Sequence, residues 1–389
     1  MLNPRWMRIM LILAMTMGIA LLGCSDDDDD VNAPPPPVYP ADAMVAAKVT
    51  TPPTADANVD ALWADVDGID IPTVVAEYDI VVDGHDIWWD GYEGDTADLV
   101  MKSVFTDTDI YFLATWNDTA DSRTRQAWYN DIANGNDEWL QMGKKYPDQF
   151  GHDPAYEDKL TVFWNISIPN FENTGCGPLC HGQYMATNGA GQLADIWHWK
   201  RDRTAPVSQL DDKWLNDDTN GRHGDTGTGA YSSNTHDLVI TGGATVSAPI
   251  YWIPGRTNYH WIMQSEIDDN TAREIVDRNG DNDWVDEDGT VLERALFGYD
   301  SDIVIPSLMG IKAGTGSRGE VSVWENWADG EWTVKIRRSR ATQTTEEDVQ
   351  FTELGVPYWF SVGIMNAAAI AHSTPNGMTG TAYQLILSE

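Results

Sequence analysis

The chain has 389 residues, of which 61 are acidic and 24 basic, giving a formal charge of −37. Acidity on this scale maintains solubility, argues against nucleic acid or an anionic membrane surface as partners, and favours cations or basic proteins instead. The length suffices for a large buried core in one domain or two.

Arg5 and Arg8 precede an apolar run, residues 9–22, which is short for a membrane span and right for a secretory signal. The run ends in Leu21-Leu22-Gly23-Cys24, which resembles a bacterial lipobox. That resemblance implies a signal peptide at 1–23 and lipid on Cys24, and several acyl chains on one residue make a stable membrane anchor. An ordinary cleaved signal with an incidental cysteine is the alternative. Ser25, rather than Asp, follows Cys24, and by the same resemblance this implies release to the outer membrane. The expected location is therefore the bacterial cell envelope, on the periplasmic or surface face of the outer membrane. Asp26 to Asp30 and Pro34 to Pro37 read as an extended tether, so residues 24–45 are expected to link the anchor to a folded domain at 46–389.

Within that domain the hydrophobic period is that of strands. Residues 99–105 and 110–116 flank the turn Thr106-Asp107-Thr108-Asp109, with Ile110, Phe112, Ala114 and Trp116 on one face. Residues 320–327 and 331–338 form a second hairpin, and 159–167, 357–365 and 382–387 are further strands. Helical spacing appears only over 122–142 and 265–277. Many short strands with Gly and Asp turns, not alternating with helices, predict an all-β antiparallel sandwich with long loops and a few short helices.

The strongest chemical signal is Cys176-Gly-Pro-Leu-Cys180-His181. With Cys24 assigned to the anchor, Cys176 and Cys180 are left to each other. Covalent haem c needs two thiols for its vinyl groups and a His beside the second thiol for the iron, which accounts for all three residues. Here three residues rather than the usual two separate the cysteines. A disulfide closing a short loop, or a zinc site, are the other chemistries open to the pair, although nearby Asp195 and His198 lack the spacing of a structural zinc site.

Tyr156-Glu157-Asp158-Lys159-Leu160, the loop holding Cys176, Cys180 and His181, and Asp195-Ile196-Trp197-His198-Trp199-Lys200 occur in this order. Asp211-Asp212-Lys213-Trp214, Gly221-Arg222-His223-Gly224-Asp225 and Asp329-Gly330-Glu331-Trp332 follow. Together they resemble the haem-binding domain family related to the haem subunits of ethylbenzene and dimethyl sulfide dehydrogenases. The resemblance implies one domain, a β-sandwich akin to a carbohydrate-binding module, and one haem passing electrons to a redox partner. The dehydrogenase subunits hold haem b through a Met and a Lys. This chain departs from them by placing Cys176, Cys180 and His181 where their Met loop falls, which implies His181 as proximal ligand. The family's second ligand falls near His372, with Met365, Met378, Met185 and Lys200 as competitors.

A second site is suggested by Asp277, Asn279, Asp281 and Asp283, followed by Asp288, since oxygen ligands at alternate positions suit calcium. Asn282 stands where a calcium loop has Gly, and a solvated acidic loop is the alternative. Eighteen tryptophans suit either a buried core or stacking on sugar rings. Trp197 and Trp199 are expected in the core. No nucleophile elbow, phosphate loop or dinucleotide turn is present. The expectation is an electron carrier rather than an enzyme. Its rivals are a carbohydrate-binding lipoprotein with a Cys176–Cys180 disulfide and a haem subunit of a molybdenum-containing oxidoreductase.

Overall fold

The computed structural model describes residues 38–388, apart from 77–80, 83–84, 87–91, 93, 146, 181–184 and 220. Contacts divide the chain into 1–38 and 39–389, and the second unit holds the fold. Thirteen strands build it: β1 (Ala43–Lys48), β2 (Ile69–Val75), β3 (Thr96–Phe105), β4 (Asp109–Asn117), β5 (Lys159–Asn165), β6 (Ala194–Lys200) and β7 (Asp211–Leu215). They continue with β8 (Arg222–Gly224), β9 (Ser322–Ala328), β10 (Glu331–Ser339), β11 (Pro357–Met365), β12 (Ser373–Pro375) and β13 (Tyr383–Leu387). One layer runs β8-β7-β6-β5-β11 and the other β2-β3-β4-β10-β9. β12 joins β11 to β2, while β13 and β1 join β11 to β3. Pairing is antiparallel except for β1, which lies parallel to both β13 and β3. The sandwich thus begins at Ala43, three residues before the boundary expected at 46.

Strand alternation sends one set of side chains inward from each layer. Leu160, Val162 and Trp164 of β5, Trp197 and Trp199 of β6, and Phe360, Val362 and Ile364 of β11 meet Phe112, Trp116, Trp332, Val334 and Ile336 from the facing layer. Aromatic pairs close the gap, with ring centroids 5.6 Å apart for Phe112 and Trp164 and 5.0 Å for Trp199 and Trp332. Trp197 and Trp199 therefore carry the core.

Between β8 and β9 the chain makes short strand pairs and a four-stranded sheet, Tyr251–Trp252, Arg273–Arg278, Trp284–Asp286 and Val291–Leu292. These surround a second core of Trp128, Trp139, Trp252, Trp284 and Phe297. The helix expected over 122–142 is instead the hairpin Trp128–Asn130 with Trp139–Gln141. Gly135 turns it with φ of 86°. Of the helix expected over 265–277, only Gln264–Asp268 forms. Asn270 in left-handed conformation then releases the chain into the strand Arg273–Arg278. No helix among the described residues is long and apolar enough to cross a membrane.

Candidate functional site

The side chains that alternate with the core set face outward from β11, β5 and β6, and they too are covered. Thr161 sits between Gly363 of β11 and His198 of β6 in register. Phe163 sits between Ser361 and Ile196, and Lys159 between Met365 and Lys200. Two connections close over this face.

The first is the β5–β6 connection. Asn165 starts it by accepting from Ile168 N at 2.7 Å and donating to Ile168 O at 3.1 Å. The one-turn helices Phe171–Thr174 and Gly177–Cys180 follow. Phe171 stacks on Phe163 at 5.7 Å, and Cys176 and Leu179 are buried against Phe163, Ile196 and Leu215, with Cys180 half-buried beside them. Cys176 and Cys180 are free thiols. The Cys180 thiol, hydrogen-bonded to Cys176, holds the Cys176 thiol below its ordinary value, while the same bond and burial push Cys180 well up. His181 lies outside the described residues, as does Cys24 with the expected signal peptide.

The second is the chain from β11 through β12 to β13. Cys176 N donates to Gly380 O at 3.1 Å, and Ser361 Oγ donates to the same carbonyl at 2.9 Å. The approach leaves no room for side chains: a Cβ on Gly177 would lie 2.0 Å from Met378 O, and one on Gly380 would lie 2.4 Å from Cys176 Sγ. Gly380 also has φ of 55°, which L side chains resist. Gly380→Ala is therefore expected to displace the Cys176 sulfur and lower the yield of any group attached there severalfold. Circular dichroism checks that the sandwich is retained.

His372 lies over Gly363. Its Nδ1 donates to Ile370 O at 2.7 Å, which places the proton of the neutral ring on Nδ1. His198 is buried on the same face, and its Nε2 has no hydrogen-bond partner among the described residues. Burial, reinforced by Lys200, Lys159 and Arg203, holds its pKa well below the usual value, so it is neutral. The sequence named His198 only to set it aside for zinc. What distinguishes it is its alternation on β6 against Trp197 and Trp199, which turns it outward.

The end of this face is cationic. Lys200 pairs with Asp211, which Lys213 also contacts at 3.2 Å and Arg318 at 2.8 Å. Burial pushes Asp211 up, but these cations, Lys200 foremost, hold it far below the carboxylate range. Lys200 is itself lowered to about 8 by burial. Lys159 is buried too, donates to Ala369 O at 2.8 Å and stands 4.7 Å from the Tyr156 ring, with no carboxylate in salt-bridge range among the described residues.

The competing ligands include three methionines. Met185 packs on the cysteine cluster, Met365 packs with Val75, Ala368 and Ala371, and Met378 is exposed. In the acidic segment four of the five side chains have protein partners. Asp277 accepts from Thr241, Asn279 accepts from Asp281 N and Asp283 N, Asp283 pairs with Arg294 at 3.0 Å, and Asp288 pairs with Arg273 at 3.0 Å. Asp281 stays exposed.

A family profile described as ethylbenzene dehydrogenase matches residues 60–376. No curated protein matches the sequence. Among solved structures, a family 9 carbohydrate-binding module from Caldicellulosiruptor kristjanssonii is similar in complex with glucose, at 8% identity and TM-score 0.29 over 89% of this chain and 97% of that one. Its complex with cellotriose gives 7% identity and the same TM-score over 89% and 95%.

Proposed function

Since the chain belongs to the ethylbenzene dehydrogenase family, we propose that it is a lipid-anchored, extracytoplasmic haem c protein that transfers electrons. The observation that carries this reading is the convergence on one sheet face of two adjacent free thiols, an oriented His372 and a buried His198 whose Nε2 has no hydrogen-bond partner among the described residues. Two thiols and imidazole nitrogens are the donor set that haem c requires. Cys176 and Cys180 would hold it covalently, His181 would be the proximal ligand and His372 the distal one. Burial and Arg203 hold the Lys159 amine well below its ordinary pKa, and a haem propionate would supply the carboxylate that it lacks among the described residues. The haem supplies a one-electron couple, and the chain tunes its potential through axial ligands and burial.

His372→Ala is expected to convert a low-spin ferric spectrum to a high-spin one. His198 is the competing distal ligand, favoured by its unpartnered nitrogen. A low-spin spectrum that survives in His372→Ala and is lost in His198→Ala would transfer the role. A spectrum unchanged in both would remove both histidines from the iron.

The charge of −37 suits a basic redox partner. Its electron exchange should slow by about tenfold or more as salt screens the attraction, and a rate independent of ionic strength would contradict such steering. A subunit of a molybdenum-containing oxidoreductase would share this haem site and is distinguished by co-purification with a large catalytic chain. The carbohydrate-binding alternative needs an aromatic platform, and among the described residues no Trp, Tyr or Phe is exposed.

A further inference from the structure

On the inner side of β6 and β7, turned away from the haem face, four aspartates are buried together: Asp195 of β6, Asp212 of β7, Asp225 just after β8, and Asp348 between β10 and β11. Each has one oxygen engaged by the chain. Asp195 Oδ2 accepts from Arg338 Nη1 at 2.7 Å, Val349 N at 3.1 Å and Trp197 Nε1 at 3.2 Å. Asp212 Oδ1 accepts from Lys213 N at 3.1 Å. Ser317 Oγ bridges Asp225 Oδ2 at 3.1 Å and Asp348 Oδ2 at 3.2 Å, and Thr342 Oγ1 and Thr344 Oγ1 also donate to Asp348 Oδ2.

The second oxygen of each is the informative one. Asp195 Oδ1, Asp212 Oδ2, Asp225 Oδ1 and Asp348 Oδ1 are all buried and have no hydrogen-bond partner among the described residues. Arg338, 3.6 Å from Asp348, is the cation paired with this group among the described residues. An ionised carboxylate buried without donors is strongly disfavoured, and four against one guanidinium leave a large negative excess. Protons or a cation must compensate it.

We propose that Asp195, Asp212, Asp225 and Asp348 bind one calcium ion inside the sandwich. Ligand oxygens of Asp195, Asp212 and Asp348 lie within 4.8 Å of one another, the one such acidic or His/Cys group among the described residues. Calcium accepts six to eight oxygens at about 2.3–2.6 Å in flexible geometry, which suits a buried cluster of protein carboxylates, whereas magnesium usually keeps several waters. An all-oxygen donor set also disfavours zinc. Asp225, coupled to the others through Ser317, supplies the fourth carboxylate. This site is independent of the haem, and it is separate from the exposed loop around Asp281.

The test is metal analysis of the purified full chain after gel filtration, with thermal unfolding in EDTA and in CaCl2. One calcium per chain is expected, with a Tm about 5 °C or more lower in EDTA and restored by CaCl2. Asp212→Asn and Asp225→Asn, checked for folding by circular dichroism, should bind calcium roughly tenfold or more weakly, while Asp281→Asn should bind like the wild type. Wild-type protein without calcium, and with the same Tm in EDTA and CaCl2, would overturn the proposal whatever the variants do. So would folded Asp212→Asn and Asp225→Asn chains of wild-type affinity, or loss of the ion in Asp281→Asn.

Discussion

Replacing Cys176 and Cys180 together by Ser is expected to remove all haem from the denatured chain, with peroxidase staining on a denaturing gel falling to background. The single variants should retain a fraction through the remaining thioether, and their reduced α-band should shift because one vinyl group stays unsaturated. The two positions are not equivalent. Cys176 is buried against Phe163 and Ile196 and closed over by Gly380, whereas Cys180 is half-buried at the end of its helical turn. Cys176→Ser places a hydroxyl in that apolar cluster, so it should lower the folded yield more than Cys180→Ser. Equal haem staining in the double variant and the wild type would contradict covalent attachment.

Arg338→Met is expected to cost about 3–5 kcal/mol, the usual consequence of removing one partner from a buried ion pair. For a chain of this size that corresponds to a fall in Tm of roughly 5 °C. Arg338 is fully buried, donates to Asp195 and to the Val349 carbonyl, and stacks over Trp197 at 5.3 Å and Phe351 at 5.2 Å. Methionine fills part of the volume but leaves Asp195 Oδ2 without its guanidinium. Arg338→Lys keeps the charge without the planar fork that reaches both acceptors, so an intermediate loss is expected. Thermal unfolding of the three proteins at one calcium concentration separates these effects, and a Tm within 2 °C of the wild type for Arg338→Met would show that the pair contributes little.

The hairpins were legible because each has one face in the core. Ile110, Phe112, Ala114 and Trp116 alternate in sequence and are all buried or nearly so in β4. The segment 122–142 misled because its apolar residues happen to fall at helical spacing, although Asn134-Gly135-Asn136 inside it carries the turn that makes it a hairpin. The parallel placement of β1 had no local signal, since parallel pairing is decided by distant partners.

The cysteine motif stood out because cysteine is rare in this chain. His198 did not, because its meaning depends on the strand face that β6 turns away from the core. The buried aspartates were hidden for another reason. Asp212 and Asp225 sit among many acidic residues, and Asp348 comes from a loop far along the chain. Only the fold brings their unpartnered oxygens to the inner side of the strands that carry Ile196 and His198 on the other.

The central claim is a covalently held haem on the outer face of β11, β5 and β6, and the pyridine haemochrome spectrum of the purified protein tests it most directly. Read alongside haem staining of the denatured chain, the account predicts a c-type α-band and haem that remains with the polypeptide. A colourless protein whose Cys176 and Cys180 titrate as a disulfide would contradict it.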